Sequence, residues 1–260
     1  MNTARTRLAV ADLTATLSTE FDVPALLHAV ARHALRCFDA HSAAVVLHGR
    51  RAAGNAGLHI VAEAARDATP TDPLLHTIGP ATASARDGAV AMIADLDDPA
   101  AGDRWPEYRA RARESGLRSV RAFPVKAMGV PLGAVIVHAD EPWGTQRPND
   151  FGQILADLTA IALSTSQGGA RRVTTTDTVD TVLDGTAVIA TAVGVLAEYF
   201  DRDVEAARLR LHRLARAHQR TPTAQATAVV RAQQLSPADP GAEPALHLPP
   251  DLAPPTSIGR

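Results

Sequence analysis

Five short runs of β-branched and small apolar residues constrain this chain more than any other feature. They are "SAAVVLH" (42–48), "GLHIVAEA" (57–64), "AVAMIADL" (89–96), "RSVRAFPV" (118–125) and "PLGAVIVHA" (131–139). The turn-rich "GRRAAGNAG" joins the first two and "KAMGV" joins the last two, the punctuation expected between strands. Helical patterns surround them. Leu8, Leu13 and Leu17, then Leu26, Leu27, Val30, Ala34 and Leu35, recur at spacings of three and four, so residues 7–38 read as helical. "DPLLHTI" is a short helix, and "RWPEYRARARESG" is one closed by Gly116 in C-cap position. A further helix runs from about 149 to 166 and ends at Gly168-Gly169. Helices before, within and after a run of strands predict an α+β sandwich around one antiparallel sheet.

The chain has 260 residues, room for one large or two ordinary domains. A composition of 46% hydrophobic and 21% charged residues is that of a globular protein. The net charge of −2 gives no whole-molecule field toward nucleic acid or membrane, so such a partner needs a local patch. Cys37 is the only cysteine, which excludes an internal disulfide. Asp12 interrupts the N-terminal apolar stretch before it reaches signal-peptide length. The longest apolar run, around 187–197, falls short of the roughly 20 residues that span a bilayer. The expected location is therefore cytoplasmic, away from membranes. Lys126 is the only lysine among 26 basic residues, a coding-bias signature that weakens arguments from arginine preference alone. Residues 1–166 read as the α+β domain, the polar stretch 167–180 as a linker, and 181–235, free of β pattern, as a small helical domain. Residues 236–260 hold seven of the 18 prolines, a composition expected to form a disordered tail.

Within "VIATAVGVLAEYF" (188–200) a glycine interrupts an otherwise helical run, at a cost of about 1 kcal/mol relative to alanine. At 100° per residue Val182, Ile189, Val193, Leu196 and Phe200 form a bulky seam. Ala187, Ala190, Gly194 and Ala197 form a second stripe of small residues. A close approach of another helix on that stripe is the expected reason for Gly194, the alternative being a glycine tolerated in a helix held by tertiary contacts. The seam's width predicts that a second chain or the helices of residues 1–166 share it, and a homodimer is expected. The next helix begins at Asp203, a good N-cap, and turns Val204, Ala207, Leu211, Leu214, Ala215 and His218 inward. Arg202, Arg213, Arg216 and Arg220 project on the opposite face, with Arg208 and Arg210 at its margins. Such a face suits a phosphate backbone, and equally a solvated helix surface. "TAQATAVVRAQQL" makes a third helix with Ala226, Val229 and Val230 inward.

These three helices resemble the ANTAR domain of bacterial transcription antitermination regulators. Ile189, Ala192, Gly194 and Leu196 stand at the family's spacings, as do Ala207, Leu211 and Ala215, then Ala226, Val229 and Val230. Thr186, Val193, Ala197 and Arg208 depart from the residues usual in that family. Residues from about 8 to 166 resemble a GAF domain, on "IGPATASARDGAVAMIADL", "RWPEYRARARESGLRSVRAFPV" and "PLGAVIVHADEPWGTQRPNDFGQILADLTAIAL". The resemblances imply a GAF-like antiparallel sheet flanked by helices, followed by an all-α three-helix ANTAR bundle. They imply a dimeric, signal-responsive regulator that binds structured RNA, with Arg202, Arg208, Arg210, Arg213, Arg216 and Arg220 on the RNA. The alternative is a protein-interaction regulator that no longer binds RNA. A GAF pocket implies a small-molecule or protein signal that the sequence does not name. "GPATAS" offers no cysteine for covalent attachment of a chromophore.

No enzymatic constellation stands out. The chain has no glycine-rich phosphate loop, no HExxH and no nucleophile elbow. His33, Cys37 and His41 step by four, but Asp39 and the strand pattern from Ser42 predict that the helix stops near 39–40 and splits the trio. Asp95, Asp97 and Asp98 read as an acidic loop before a helix rather than a cation site. No catalytic or metal-ligating residue is therefore assigned.

Overall fold

The computed structural model describes residues 3–50, 56–66, 71–98, 102, 104–145, 147–165, 175–234 and 243–248. The chain forms two compact units, Met1–Leu183 and Asp184–Arg260. The first holds one five-stranded sheet: β1 Ser42–Arg50, β2 Ala56–Ala65, β3 Ala91–Ile93, β4 Ser119–Ala127 and β5 Val130–Ala139, in the order β2-β1-β5-β4-β3. Every pairing is antiparallel. Side chains alternate across a strand, so Ala43, Val45, Leu47, Val135 and Val137 serve one core while Ala44, Val46, Ala134 and Ile136 serve another. Burial on both faces is why these strands read as near-continuous apolar runs. At the β4–β5 hairpin, Met128 (φ 50°) and Gly129 (φ 79°) are both left-handed, as a tight two-residue turn requires. Gly133 faces Leu47 in the register, and a Cβ there would run into the Val46 carbonyl oxygen.

Three helices cover one face: α1 Thr3–Leu17, α2 Val23–Phe38 and, after the sheet, α6 Asn149–Thr165. The expected continuous helix over 7–38 is two helices, because the chain breaks after Leu17 and restarts with Pro24 in the first turn. Proline lacks an N–H there at no cost, since the first-turn amides have no intrahelical acceptor. α2 stops at Phe38, with Asp39 left-handed at φ 49°. Phe38 anchors this core, its ring 6.1 Å from Phe123, 5.2 Å from Trp143 and 5.4 Å from Phe151. Gly152 of α6 lies against the Phe123 ring, where a Cβ would overlap it.

The opposite face carries α3 Pro73–Thr77, α4 Pro80–Asp87 and α5 Pro106–Glu114. "GPATASARDG", which has no clear period in the sequence, is α4: Pro80 opens it and left-handed Gly88 (φ 64°) closes it. Ala81, Ala85, Leu75, Tyr108 and Ala112 from these helices pack on Val46, Val120, Ala122 and Ile136 of the sheet.

The second unit is helical, with α8 Val204–Ala217, α9 Pro222–Gln234 and α10 Glu243–Leu246 following α7 Thr175–Phe200. α7 begins inside the stretch expected to be a linker, and residues 167–174 lie outside the described residues. The bulky seam is buried, but its residues go to different cores. Val182 belongs to the first unit's core, and Ile189, Val193 and Leu196 join Ala207, Leu211, Leu214, Ala226 and Val229 in the second. Val204 is exposed rather than inward, since it opens α8 before the buried face begins at Ala207. Asp203 caps α8, its carboxylate accepting from Ala206 N–H at 2.7 Å. The tail expectation needs correction for 243–248: Ala245 and Leu246 are buried in this core, while 235–242 and 249–260 lie outside the described residues. Asp180–Phe200 is long and apolar enough to cross a membrane by length and composition alone, more than the sequence run suggested. It carries Asp180, Asp184 and Glu198, and Ile189, Val193 and Leu196 are already packed against α8 and α9 residues.

Candidate functional site

On the α3–α5 face of the sheet, alternation carries Ser42 and His138 onto the same side as Ala44, Val46, Ala134 and Ile136. Ser42 Oγ and His138 Nδ1 share a hydrogen bond of 3.2 Å, both residues being fully buried. α3 brings the equally buried His76 to a ring distance of 5.1 Å from His138, and α5 brings Tyr108 to 6.3 Å. Glu63 of β2 accepts from His76 Nε2 at 3.0 Å and from the Thr71 N–H at 3.2 Å. Apolar side chains surround a small polar cluster.

Electrostatics fixes most protonation states in it. Burial pushes the Glu63 carboxyl up, but the hydrogen bonds and charge of His76 and the Thr71 amide outweigh it, so the group is held below its ordinary value. An ionised carboxylate only accepts, so His76 Nε2 carries the hydrogen. Burial first, and then the neighbouring His76, hold His138 well below the usual histidine value, and its imidazole is neutral. Burial raises Tyr108 well above the usual phenol value, so the hydroxyl stays protonated. His76 Nδ1 and Tyr108 Oη are buried without a hydrogen-bond partner among the described residues. His138 Nε2 makes no well-formed bond either, and a Leu75 backbone contact that favours protonation of the ring is outweighed by burial. Buried polar atoms left this way in a native protein call for an explanation. Here the His76, His138 and Tyr108 rings lie in one neighbourhood, where His138 and Tyr108 offer a neutral imidazole and a neutral hydroxyl.

None of these residues stands out in the sequence. The available signal is His138, a lone histidine closing the apolar strand "PLGAVIVHA". Its partners come from β1, β2, α3 and α5, and only the folded sheet assembles them. His33 instead contacts Asp12 at 2.9 Å, and His41 lies beyond the end of α2, so the His33–Cys37–His41 trio is indeed split. Among the described residues no group of three or more His, Cys, Asp or Glu is placed to hold a metal ion. Asp95 engages Arg118 through both oxygens at 3.0 Å, and Asp97 meets Arg118 at 3.0 Å, so the acidic loop is an ion-pair network.

In the second unit Arg202, Arg213, Arg216 and Arg220 are exposed, as expected of an outward face. Arg208 is half-buried. Arg210 departs from expectation: its guanidinium lies 3.6 Å from the Phe200 ring centroid and donates to the Leu246 carbonyl at 3.3 Å. The small-residue stripe also departs from expectation. Ala187, Ala190 and Gly194 are exposed, Ala197 is half-buried, and nothing described lies within 4 Å of a Cβ built at Gly194. No described helix of this chain makes the close approach anticipated there; the second unit packs on the seam a third of a turn away.

Comparison with curated proteins finds no match. Among solved structures the chain is similar to the chromophore-binding domain of the bacteriophytochrome RpBphP3 from R. palustris. That likeness has 14% identity and a TM-score of 0.46, covering 62% of this chain and 61% of that one. It is also similar to free methionine-R-sulfoxide reductase from Neisseria meningitidis in complex with its substrate, at 16% identity and a TM-score of 0.47, covering 62% and 90%. The GAF domain model matches residues 22–163, which spans the whole five-stranded sheet with α2 and most of α6. Matched over more than half its length, the chain belongs to the GAF domain family.

Proposed function

We propose that this protein is a signal-responsive regulator in which the GAF domain senses a small molecule and the second unit binds structured RNA to control transcription termination. The observation that carries the RNA half is the gathering of exposed arginines on the second unit. Several first-unit arginines, Arg66, Arg86, Arg111, Arg113, Arg118 and Arg147, meet a carboxylate, although Arg109 and Arg121 meet none among the described residues. Among the described residues Arg202, Arg213, Arg216 and Arg220 meet none, and Arg202 and Arg213 press on Arg210 as like charges. Unneutralised guanidinium groups gathered on one helical surface are built for an anion, and phosphates are the anions they fit by charge and geometry. The ANTAR resemblance supplies the class of target.

For the sensory half, the ligand is a small uncharged polar molecule. His138 and Tyr108 offer neutral donors and acceptors, and the cluster's one carboxylate, on Glu63, is already engaged by His76 and Thr71. A charged guest would lose its hydration there with no free counter-charge to replace it. Homodimerisation is supported by Leu8 of α1 with Ile154 and Ile161 of α6, large apolar residues left exposed on helices that pack together. The seven-residue step from Ile154 to Ile161 places both on one helical face.

The protein-interaction alternative draws on Val204 and Leu209, apolar residues exposed on α8. Gel-shift and anisotropy titrations of the full chain with structured leader transcripts over a range of salt separate the two. The RNA reading requires affinity that falls steeply as salt rises; no salt-dependent binding to any structured RNA turns the assignment to a protein partner.

A further inference from the structure

At the end of α7, Tyr199 and Phe200 form an edge-to-face pair with centroids 4.8 Å apart, and Tyr199 is 57% exposed. The Arg210 guanidinium covers Phe200 at 3.6 Å, and burial, then the like charges of Arg202 and Arg213, hold it below its ordinary value. An aromatic pair bordered by arginines joins the two features that hold unpaired nucleotides: a π-face for the base and cations for the phosphate. One further ring already occupies this place. His247, from the segment after α10, is edge-on to Phe200 at 5.7 Å and to Tyr199 at 6.1 Å.

The segment is held as a built strap. Consecutive carbonyls of Ala245, Leu246 and His247 accept from Gln225 Nε2 at 2.8 Å, Arg210 Nη2 at 3.3 Å and His218 Nε2 at 3.1 Å. Ala245 and Leu246 are 8% exposed, and Gln225 is fully buried with its Oε1 unpartnered among the described residues. We propose that Tyr199 and Phe200, with Arg202, Arg210 and Arg213, are the stacking site for an unpaired base of the bound RNA, and that residues 245–248 form an autoinhibitory strap whose His247 ring stands where the base lies. The inference rests on the RNA reading above and adds its contact residues and its regulation. The docked strap places the His247 ring against the aromatic pair and takes an Arg210 N–H for the Leu246 carbonyl, so RNA and strap compete for the same side chains. Release of the strap frees the ring face and the guanidinium together.

The test uses the full chain and a hairpin RNA with an adenosine-rich loop, compared with a blunt duplex of the same stem, in anisotropy titrations across salt. Tyr199→Ala lowers affinity for the looped RNA by about tenfold, as the removal of one stacked base does. It leaves the duplex affinity and the salt slope unchanged, because stacking releases no counterions. His247→Ala and Leu246→Asp each raise affinity for the looped RNA several-fold. Hydrogen exchange at residues 245–248 is expected to be faster in Leu246→Asp than in the parent protein, as burial of Ala245 and Leu246 is lost. Equal affinity in parent and strap variants, with exchange nonetheless released, overturns the autoinhibitory strap. Unchanged affinity in Tyr199→Ala, or a weakening that also lowers the salt slope, overturns the stacking site. Binding that depends on Arg213, Arg216 and Arg220 yet ignores Tyr199 and His247 defeats this inference alone. Absence of RNA binding in every variant defeats the RNA reading along with it.

Discussion

Gly194 and Gly152 show how little a residue's identity says about its surroundings. Both are helical glycines amid apolar neighbours, and only Gly194 stands out in the sequence. In the structure a Cβ at Gly194 meets open space, whereas one at Gly152 meets the ring of fully buried Phe123. Gly194→Ala is therefore expected to stabilise the second unit by about 1 kcal/mol through helix propensity. Gly152→Ala is expected to destabilise the first unit by about 1–3 kcal/mol through overpacking. Denaturant titration of both variants checks the pair, and a destabilised Gly194→Ala would reveal a close helix contact made by a second chain. His138 gives a pH prediction at the same scale. Its folded-state value lies below that of the unfolded chain, held there by burial and by His76. Below about pH 6.5 the unfolded state thus binds the extra proton. Stability is full above that pH and falls as pH drops, by up to about 1.4 kcal/mol per pH unit for this one group. His138→Gln should show a correspondingly shallower decline between pH 6.5 and 5 in thermal melts. Glu63, whose folded value is also lowered, acts in the same direction but in the carboxylate range below.

At the scale of elements, α8 separates stability from recognition. Asp203 caps it at 2.7 Å, and Ala207, Leu211, Leu214 and Ala215 bury one side. Asp203→Ala should cost about 1 kcal/mol and leave RNA affinity nearly untouched at temperatures where the unit stays folded. Joint replacement of exposed Arg213, Arg216 and Arg220 by alanine should do the reverse. Exposed positions of this kind change folding by no more than about 0.5 kcal/mol each. Each phosphate that the variant no longer neutralises should lower the log–log salt slope of RNA binding by about 0.7 to 0.9. A melting temperature that drops sharply in the triple variant would show that these guanidinium groups hold the fold instead. The seam of α7 belongs to the same scale. Its bulky residues are spent inside the chain, so Ile189→Asp should unfold the second unit rather than dissociate a dimer.

For the whole molecule, unspent apolar surface on helices that pack together lies at Leu8, Ile154 and Ile161 of the GAF unit. Light scattering of the full chain should give a dimer, and Ile161→Asp should give a folded monomer whose melting temperature no longer depends on protein concentration. A parent protein that scatters as a monomer at all concentrations removes this interface.

The strands, the α+β class and the buried sides of α8 and α9 are legible in the sequence because each depends on local periodicity and on turn residues such as Gly129. So is the end of α2 near Asp39, where a strand pattern follows too soon for the helix to continue. The break between α1 and α2 is marked by the nine-residue gap from Leu17 to Leu26 and by Asp22 and Pro24, a helix-start signal that the leucine periodicity on either side masks. The polar cluster lies beyond any local signal: His138, His76, Glu63 and Tyr108 come from four separate elements, joined only by strand register and helix placement. The tail reads as too rich in proline to pack, yet residues 245–248 dock because the Arg210, His218 and Gln225 side chains donate to their backbone carbonyls. Patterns along the chain decided which faces are apolar. What meets those faces was decided by the tertiary structure, because contact depends on which residues of distant elements come within reach.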